Sequence, residues 1–369
     1  ERQFLRQFKQ EFGGVAGNSD KEPRQDLRVA AEEAMATLNS LDGDATRRLP
    51  WFFVLGDAMS ARAVLSHVTR DGSLPRPDHA THPDRLWHHW YLAAGMAVEV
   101  SDRFMCPRTD ADTRRLWLHA LLTANRLRPH MPLHGLVLMV PADLLVPGAD
   151  DRRQERVIDL RRMIDEILRT LAVDIPVQVV ISGIDRLDGA ETFLRLLPEA
   201  TRNQALGHGV ADGIPSDTAL AGWQPAFEAL CTTLYRLQLG LLSATSVPAD
   251  RQAIQTFPRR VEQLREPLAA FLKGLFDTGA VQLQRTARLR GIYLLGGSRQ
   301  PAFADDLFRA LIPRDAALAR STGGARRRTR RLAVAAAGAA LALSALFTAA
   351  ILWPVTRLDA AHQQAMQTC

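Results

Sequence analysis

Apolar positions along the chain follow two patterns, and the change from one to the other marks its organisation. Up to Pro50 the sequence is charged, with apolar residues at helical spacing in DLRVAAEEAMATLNSL (26–41), which predicts a helical lead-in over residues 1–48. From Trp51 onward, short apolar runs alternate with amphipathic stretches. WFFVL (51–55), MAVEV (96–100), GLVLMV (135–140) and VQVVIS (177–182) are predicted strands, buried on both faces. RRLWLHALLTANRL (114–127) and RRQERVIDLRRMIDEILRTL (152–171) are long enough to be the crossover helices between them. This alternation predicts a doubly wound, mostly parallel α/β domain over 49–207. The glycine- and turn-rich HGVADGIPS (208–216) reads as a linker. Beyond it, 217–320 reads as a helical extension containing FPRRVEQLREPLAAFLKGLF (257–276) and a late strand, GIYLLGG (291–297).

The last pattern is an uncharged run, 332–353, which at ~1.5 Å per helical residue reaches roughly 33 Å and so matches a bilayer core of about 30 Å. Arg326, Arg327, Arg328, Arg330 and Arg331 flank one end and Trp353 the other. The positive-inside bias then predicts a transmembrane helix at 332–353, a basic linker at 321–331, residues 1–331 in the cytoplasm and 354–369 entering the periplasm. Alanine dominates the span, and Gly338 and Ala342 supply a small-residue face for packing against other membrane helices. The start at Glu1 and the polar helical sequence up to Cys369 read as the limits of a piece of a longer protein.

Charge adds little once this segment is set aside. The formal net charge of +6 is carried by 314–331, and the remainder is balanced. Without a basic stripe and interleaved aromatics, nucleic acid is excluded as the main partner. Cys106, Cys231 and Cys369 have neither CxxC spacing nor companion histidines, so no disulfide framework follows. His79, His82, His88 and His89 crowd one stretch, but adjacent histidines on a strand point to opposite faces, and core-edge or solvated histidines are expected rather than a metal site.

In an α/β domain of this kind, a phosphate would sit at the turn after the first strand. That turn reads Gly56-Asp57-Ala58-Met59-Ser60-Ala61-Arg62-Ala63. Against the phosphate-loop pattern GxxxxGK[ST] it keeps Gly56 and the spacing but carries Ala61, Arg62 and Ala63 at the last three positions. A methyl at Ala61 restricts the torsions that let amides converge on phosphate, and Ala63 has no hydroxyl for magnesium. Arg62 presents a planar fork where a compact ammonium is needed, while Asp57 and Met59 crowd an anion cradle. Asp102 follows the strand MAVEV without a DxxG pattern, and Asp185 follows VQVVIS with Gly183 where an N/T-K-x-D motif has lysine. The expectation is a degenerate nucleotide site at Gly56, Ala61, Arg62, Ala63, Asp102 and Asp185, with no catalysis and no cofactor. The alternative is a GTP- or ATP-hydrolysing switch in which Arg62 replaces the lysine and Asp102 or Asp185 meets metal or base. Asp143 is expected to cap the turn after its strand. Trp87, Trp90, Trp117 and Trp223 are expected in the core.

The order of signals resembles the cytoplasmic region of the TssM/IcmF family, the large inner-membrane component of bacterial type VI secretion systems. The resemblance rests on LPWFF (49–53), WHHWY (87–91), NRLRPHMPLHGLVLMVPADLL (125–145), SGIDRLDGAETF (182–193), LRGIYLLGGSRQ (289–300) and FADDLFRALIPRDAALA (303–319), in that order, across roughly 45–355. It implies a P-loop-NTPase-like sheet and a scaffold role in an inner-membrane complex. It also implies TssL and the baseplate proteins TssK and TssG as cytoplasmic-side partners, the lipoprotein TssJ as a periplasmic one, and an oligomer. Many members keep a full phosphate loop, so a nucleotide-dependent step does not transfer to this chain. A stabilising factor of a type IV secretion complex, the related IcmF role, stands beside this reading.

Overall fold

The computed structural model describes residues 21–41, 48–69, 75, 82–105, 111–212, 214, 216–277, 287–296 and 301–322, together with 334, 335, 338 and 344. The chain divides into two units, 1–320 and 321–369, and the first holds the fold described below.

Helix α1 (Lys21–Leu41) is followed by β1 (Trp51–Gly56), α2 (Ala58–Val68), the hairpin β2 (Trp87–Leu92) and β3 (Gly95–Val100), α3 (Ala111–Leu127), and β4 (Gly135–Pro141). Next come α4 (Asp150–Leu171), the short β5 (Val173–Asp174), β6 (Pro176–Ser182), α5 (Ala190–Leu196), α6 (Glu199–Asn203) and β7 (Leu206–Gly209). Four helices then run in series: α7 (Ser216–Ala221), α8 (Trp223–Ala244), α9 (Pro248–Glu262) and α10 (Arg265–Phe276). The chain returns as β8 (Arg288–Leu294). One seven-stranded sheet has the order β2-β3-β1-β4-β6-β8-β7. The central five strands are mutually parallel, and only the edge strands β2 and β7 run antiparallel to their neighbours.

The apolar runs are explained by cover on both faces. Trp51, Phe53 and Leu55 of β1 enter a core shared with residues of α1, α3, α4 and the helices after β7. Phe52 and Val54 point the other way, into a core with Val64 and Leu65 of α2 and with Leu307, Phe308 and Ile312. Trp87, Trp90, Trp117 and Trp223 are all buried, as expected.

The mixed α/β class, the mostly parallel sheet and the central strands match the sequence pattern, but two details differ. The late strand is β8, which lies inside the sheet between β6 and β7, so the helices 216–276 are enclosed between strands of one sheet. The glycine-rich stretch read as a linker from 208 begins within β7. The helical stretch 257–276 is divided between two helices, α9 and α10, which are separated between Glu262 and Arg265.

Pro258 lies within α9 rather than ending it. Proline has no N–H to give the carbonyl four residues back, which here belongs to Ile254. The Gln238 amide from α8 donates to that oxygen at 3.1 Å, so the lost bond is replaced from a neighbouring helix. We expect Gln238→Ala to destabilise the protein by about 1–3 kcal/mol, the cost of an orphaned carbonyl. Urea denaturation should show a lower midpoint at unchanged slope; an unchanged midpoint would mean that water serves Ile254 equally well.

Among the described residues, no helix is long and apolar enough to cross a membrane. Of the expected span 332–353, Val334, Ala335, Gly338 and Ser344 are described, and all four are helical and exposed. Arg326, Arg327, Arg328, Arg330, Arg331, Ala342 and Trp353 lie outside the described residues.

Candidate functional site

The C-terminal edge of the sheet, where a doubly wound domain places its ligands, is occupied here by the chain's own side chains. β1 ends at Gly56 with φ +119°, a conformation closed to other residues, and a Cβ there would lie 1.9 Å from the Met139 carbonyl oxygen. The Asp57 amide donates to that same oxygen at 3.0 Å, pinning the turn to β4.

Asp57 is the single residue between β1 and α2, and it caps the helix. Its Oδ1 accepts the Ser60 amide at 3.1 Å, and its Oδ2 accepts the hydroxyls of Ser60 at 2.6 Å and Ser182 at 3.0 Å. The Arg186 guanidinium stands 3.5 Å from Oδ2. Of the four positions that lie between the glycines of a phosphate loop, Ala58, Met59 and Ser60 are thus already helical. Their amides run along the helix axis instead of curving round an anion, and the positive end of α2 is met by a carboxylate from the chain itself.

Arg62 is equally committed. Its Nε donates to Glu99 Oε1 at 2.6 Å, and Glu99 Oε2 accepts the Trp90 indole N–H at 3.1 Å. The Glu99 side chain is 1% exposed and that of Arg62 28%, so the arginine reaches from the surface into β3 to neutralise a buried acid. Burial pushes the Glu99 pKa up, against the pull of Arg62 and the Trp90 bond.

The other expected positions are spread along the C-terminal edge of the sheet, from the end of β3 to the end of β6. Ala61 is buried beside Val137 and Met139, and Ala63 is half-buried on α2. Asp102 opens a short 3-10 turn after β3, near the start of α2, where the Ala58 amide helps to hold its charge. By surface area Asp102 is exposed, yet protein atoms crowd its carboxyl. That partial loss of water raises its pKa, Arg156 opposes the rise, and Asp57 adds to it. Asp185 is buried in the 3-10 turn Ile184–Arg186 after β6. At Gly183, the lysine position of the guanine motif, φ is +70° and a Cβ would lie 2.3 Å from the Arg186 guanidinium.

The structure therefore gathers Gly56, Asp102 and Asp185 at the sheet edge and sends Arg62 to Glu99. Sequence reasoning missed Asp57, Ser60, Ser182 and Arg186 as a bonded group, and it missed Glu99 as the partner of Arg62. Two signals were available: Asp57 followed three residues on by Ser60 is an N-cap pattern, and Glu99 is the one charge in an apolar strand.

Asp143 does not cap: the turn Ala142–Leu144 is entered from Pro141 with no side-chain cap. His88 and His89 are both buried in β2; His88 Nε2 lies 3.0 Å from the His82 carbonyl, and the His89 ring meets Trp51 and Trp87 edge-on. Among the described residues, no group of three or more His, Cys, Asp or Glu could hold a metal ion; His79 lies outside them.

No curated protein and no solved structure matches the chain. Residues 110–301 match the family described as the IcmF-related N-terminal domain. The matched stretch takes in the main-sheet strands β4, β6, β7 and β8 and every helix enclosed between β7 and β8. With more than half of its length matched in this way, the chain belongs to the IcmF-related family.

Proposed function

We propose that the protein is a non-catalytic scaffold subunit of a type VI secretion membrane complex, with a P-loop-NTPase-like domain that has given up its nucleotide. Membership of the IcmF-related family supports a component of type VI or type IV secretion. The parallel order β3-β1-β4-β6-β8, with α2 leaving the C-terminal end of β1, supports the NTPase-like reading. The observation that carries the loss of nucleotide is the bonding of Asp57: its carboxylate stands on the helix end where a phosphate would be held. A triphosphate would have to displace that carboxylate, unwind the first turn of α2 and find cationic help while Arg62 is held by Glu99.

In this reading the sheet is a rigid platform. Its faces and helices dock TssL and the baseplate proteins TssK and TssG, residues 332–353 anchor it in the inner membrane as part of an oligomer, and TssJ meets the region that follows. The test is titration of the protein with fluorescent GTP and ATP in the presence of magnesium, paired with cross-linking in membranes that contain TssL. We expect no saturable nucleotide binding up to millimolar concentration and a TssL cross-link. Micromolar nucleotide binding would overturn the non-catalytic reading, and absence of the cross-link would overturn the scaffold assignment.

A further inference from the structure

The outward face of α9 is polar and carries two arginines. Gln252, Gln255, Thr256, Arg259, Arg260 and Gln263 recur at the spacing of one helix face and line a shallow groove of about 320 Å³. The opposite face, with Ile254, Phe257 and Val261, is buried. None of these six residues is acidic, and the carboxylate in contact with them is Asp188, paired with Arg260.

Neighbouring arginines are used inside the fold. Arg251 donates to the carbonyls of Leu242 at 2.7 Å and Thr245 at 2.8 Å, closing the end of α8. Arg265 lies 3.3 Å from Glu228 and 3.7 Å from Glu262, and Arg195 lies 3.5 Å from Asp250. Arg259 differs: among the described residues no carboxylate lies within ion-pair distance of it. Arg260 meets Gln263 at 3.1 Å and Asp188 at 2.7 Å, and the Asp188 side chain is 68% exposed, a pair open to exchange.

Two guanidinium forks suit carboxylates, and three glutamine amides can each donate to and accept from a peptide backbone. An anionic membrane surface is drawn to clusters of about four to eight cations, and single-stranded nucleic acid asks for stacking aromatics; the groove has neither. Its charge and amides complement an acidic peptide. We propose that the outer face of α9 is a docking groove for an acidic, extended segment of a partner protein, an inference that stands apart from the secretion reading.

The test uses the full chain with a photo-crosslinking benzophenone at Gln255, and at Gln224 on α8 as a control. The probe is a short labelled peptide of alternating Glu and Ser. We expect saturable, salt-sensitive labelling at Gln255, absent at Gln224, and reduced about tenfold or more by Arg259→Glu with Arg260→Glu. Both positions are exposed, and circular dichroism checks that the double variant is folded. No labelling, equal labelling in the double variant, labelling at Gln224 to the same extent, or equal labelling by a Lys/Ser peptide would each overturn the proposal. Stronger competition by anionic vesicles than by unlabelled peptide would reassign the face to a membrane and overturn it too.

Discussion

Replacing Arg62 with alanine is expected to cost about 3–5 kcal/mol of stability at neutral pH, because it strands a buried charge. Glu99 keeps its Trp90 bond, but its counter-charge, 2.6 Å away, is gone. The pH dependence has a definite sign. Glu99 in the folded chain already holds its proton more tightly than its ordinary pKa of 4.5, burial being the chief cause and the Asp102 charge adding to it. A carboxyl raised in this way costs stability as pH climbs through the interval above its ordinary value. Removing Arg62 removes the main opposing influence and widens that interval. The deficit of the variant should therefore be largest at neutral pH and shrink at mildly acidic pH, as protonation neutralises the stranded acid. Urea melts at the two pH values check this, and Arg62→Ala combined with Glu99→Gln should recover much of the loss at neutral pH. An equal deficit at both pH values and no recovery in the double variant would mean that Arg62 acts through packing alone.

Gly56→Ala is expected to be as damaging, at about 4 kcal/mol or more, and to yield mostly insoluble protein. At φ +119° the methyl has no relaxed conformation, and 1.9 Å from the Met139 carbonyl it would have to push β1 from β4 where Asp57 is pinned. The same substitution at Gly240, inside α8, meets nothing within 4 Å. There it should raise stability by about 0.5–1 kcal/mol, since alanine is the better helix former. Thermal unfolding of the two variants side by side separates backbone constraint from the generic cost of a methyl; similar shifts in both would contradict the strained turn.

The parts of the fold that could be read from the sequence are those whose signal is local. WFFVL, MAVEV, GLVLMV and VQVVIS were legible because a strand covered on both faces is mostly apolar, Glu99 and Gln178 being buried exceptions. β7 was not: LGHG has no β-branched residue and two glycines, and it is a strand only because it lies along β8, from which it is separated by the four enclosed helices. The break between α9 and α10 was not marked, because the sequence there, Gln263-Leu264, carries no breaker. The nearby breaker, Pro258, is tolerated inside α9 because Gln238 answers the orphaned carbonyl from another helix. At the site, the losses at Ala61, Arg62 and Ala63 were visible as chemistry, since a missing lysine or hydroxyl is a local fact. What fills their place was not, because Ser182, Arg186 and Glu99 reach Asp57 and Arg62 only once the sheet is assembled.

The position of β8 bears on how the protein is made. Strands β1, β3, β4 and β6 emerge from the ribosome in time to pair with one another, but the far edge of β6 waits for residues 288–294. Until then β6 presents a row of unpaired amides beside Val177, Val179 and Ile181, and β7 has no partner at all. The four intervening helices form a loop that must close before the sheet is sealed, which places the slowest and most aggregation-exposed step late in synthesis. A chain terminated before residue 287 would leave the edge of β6 open.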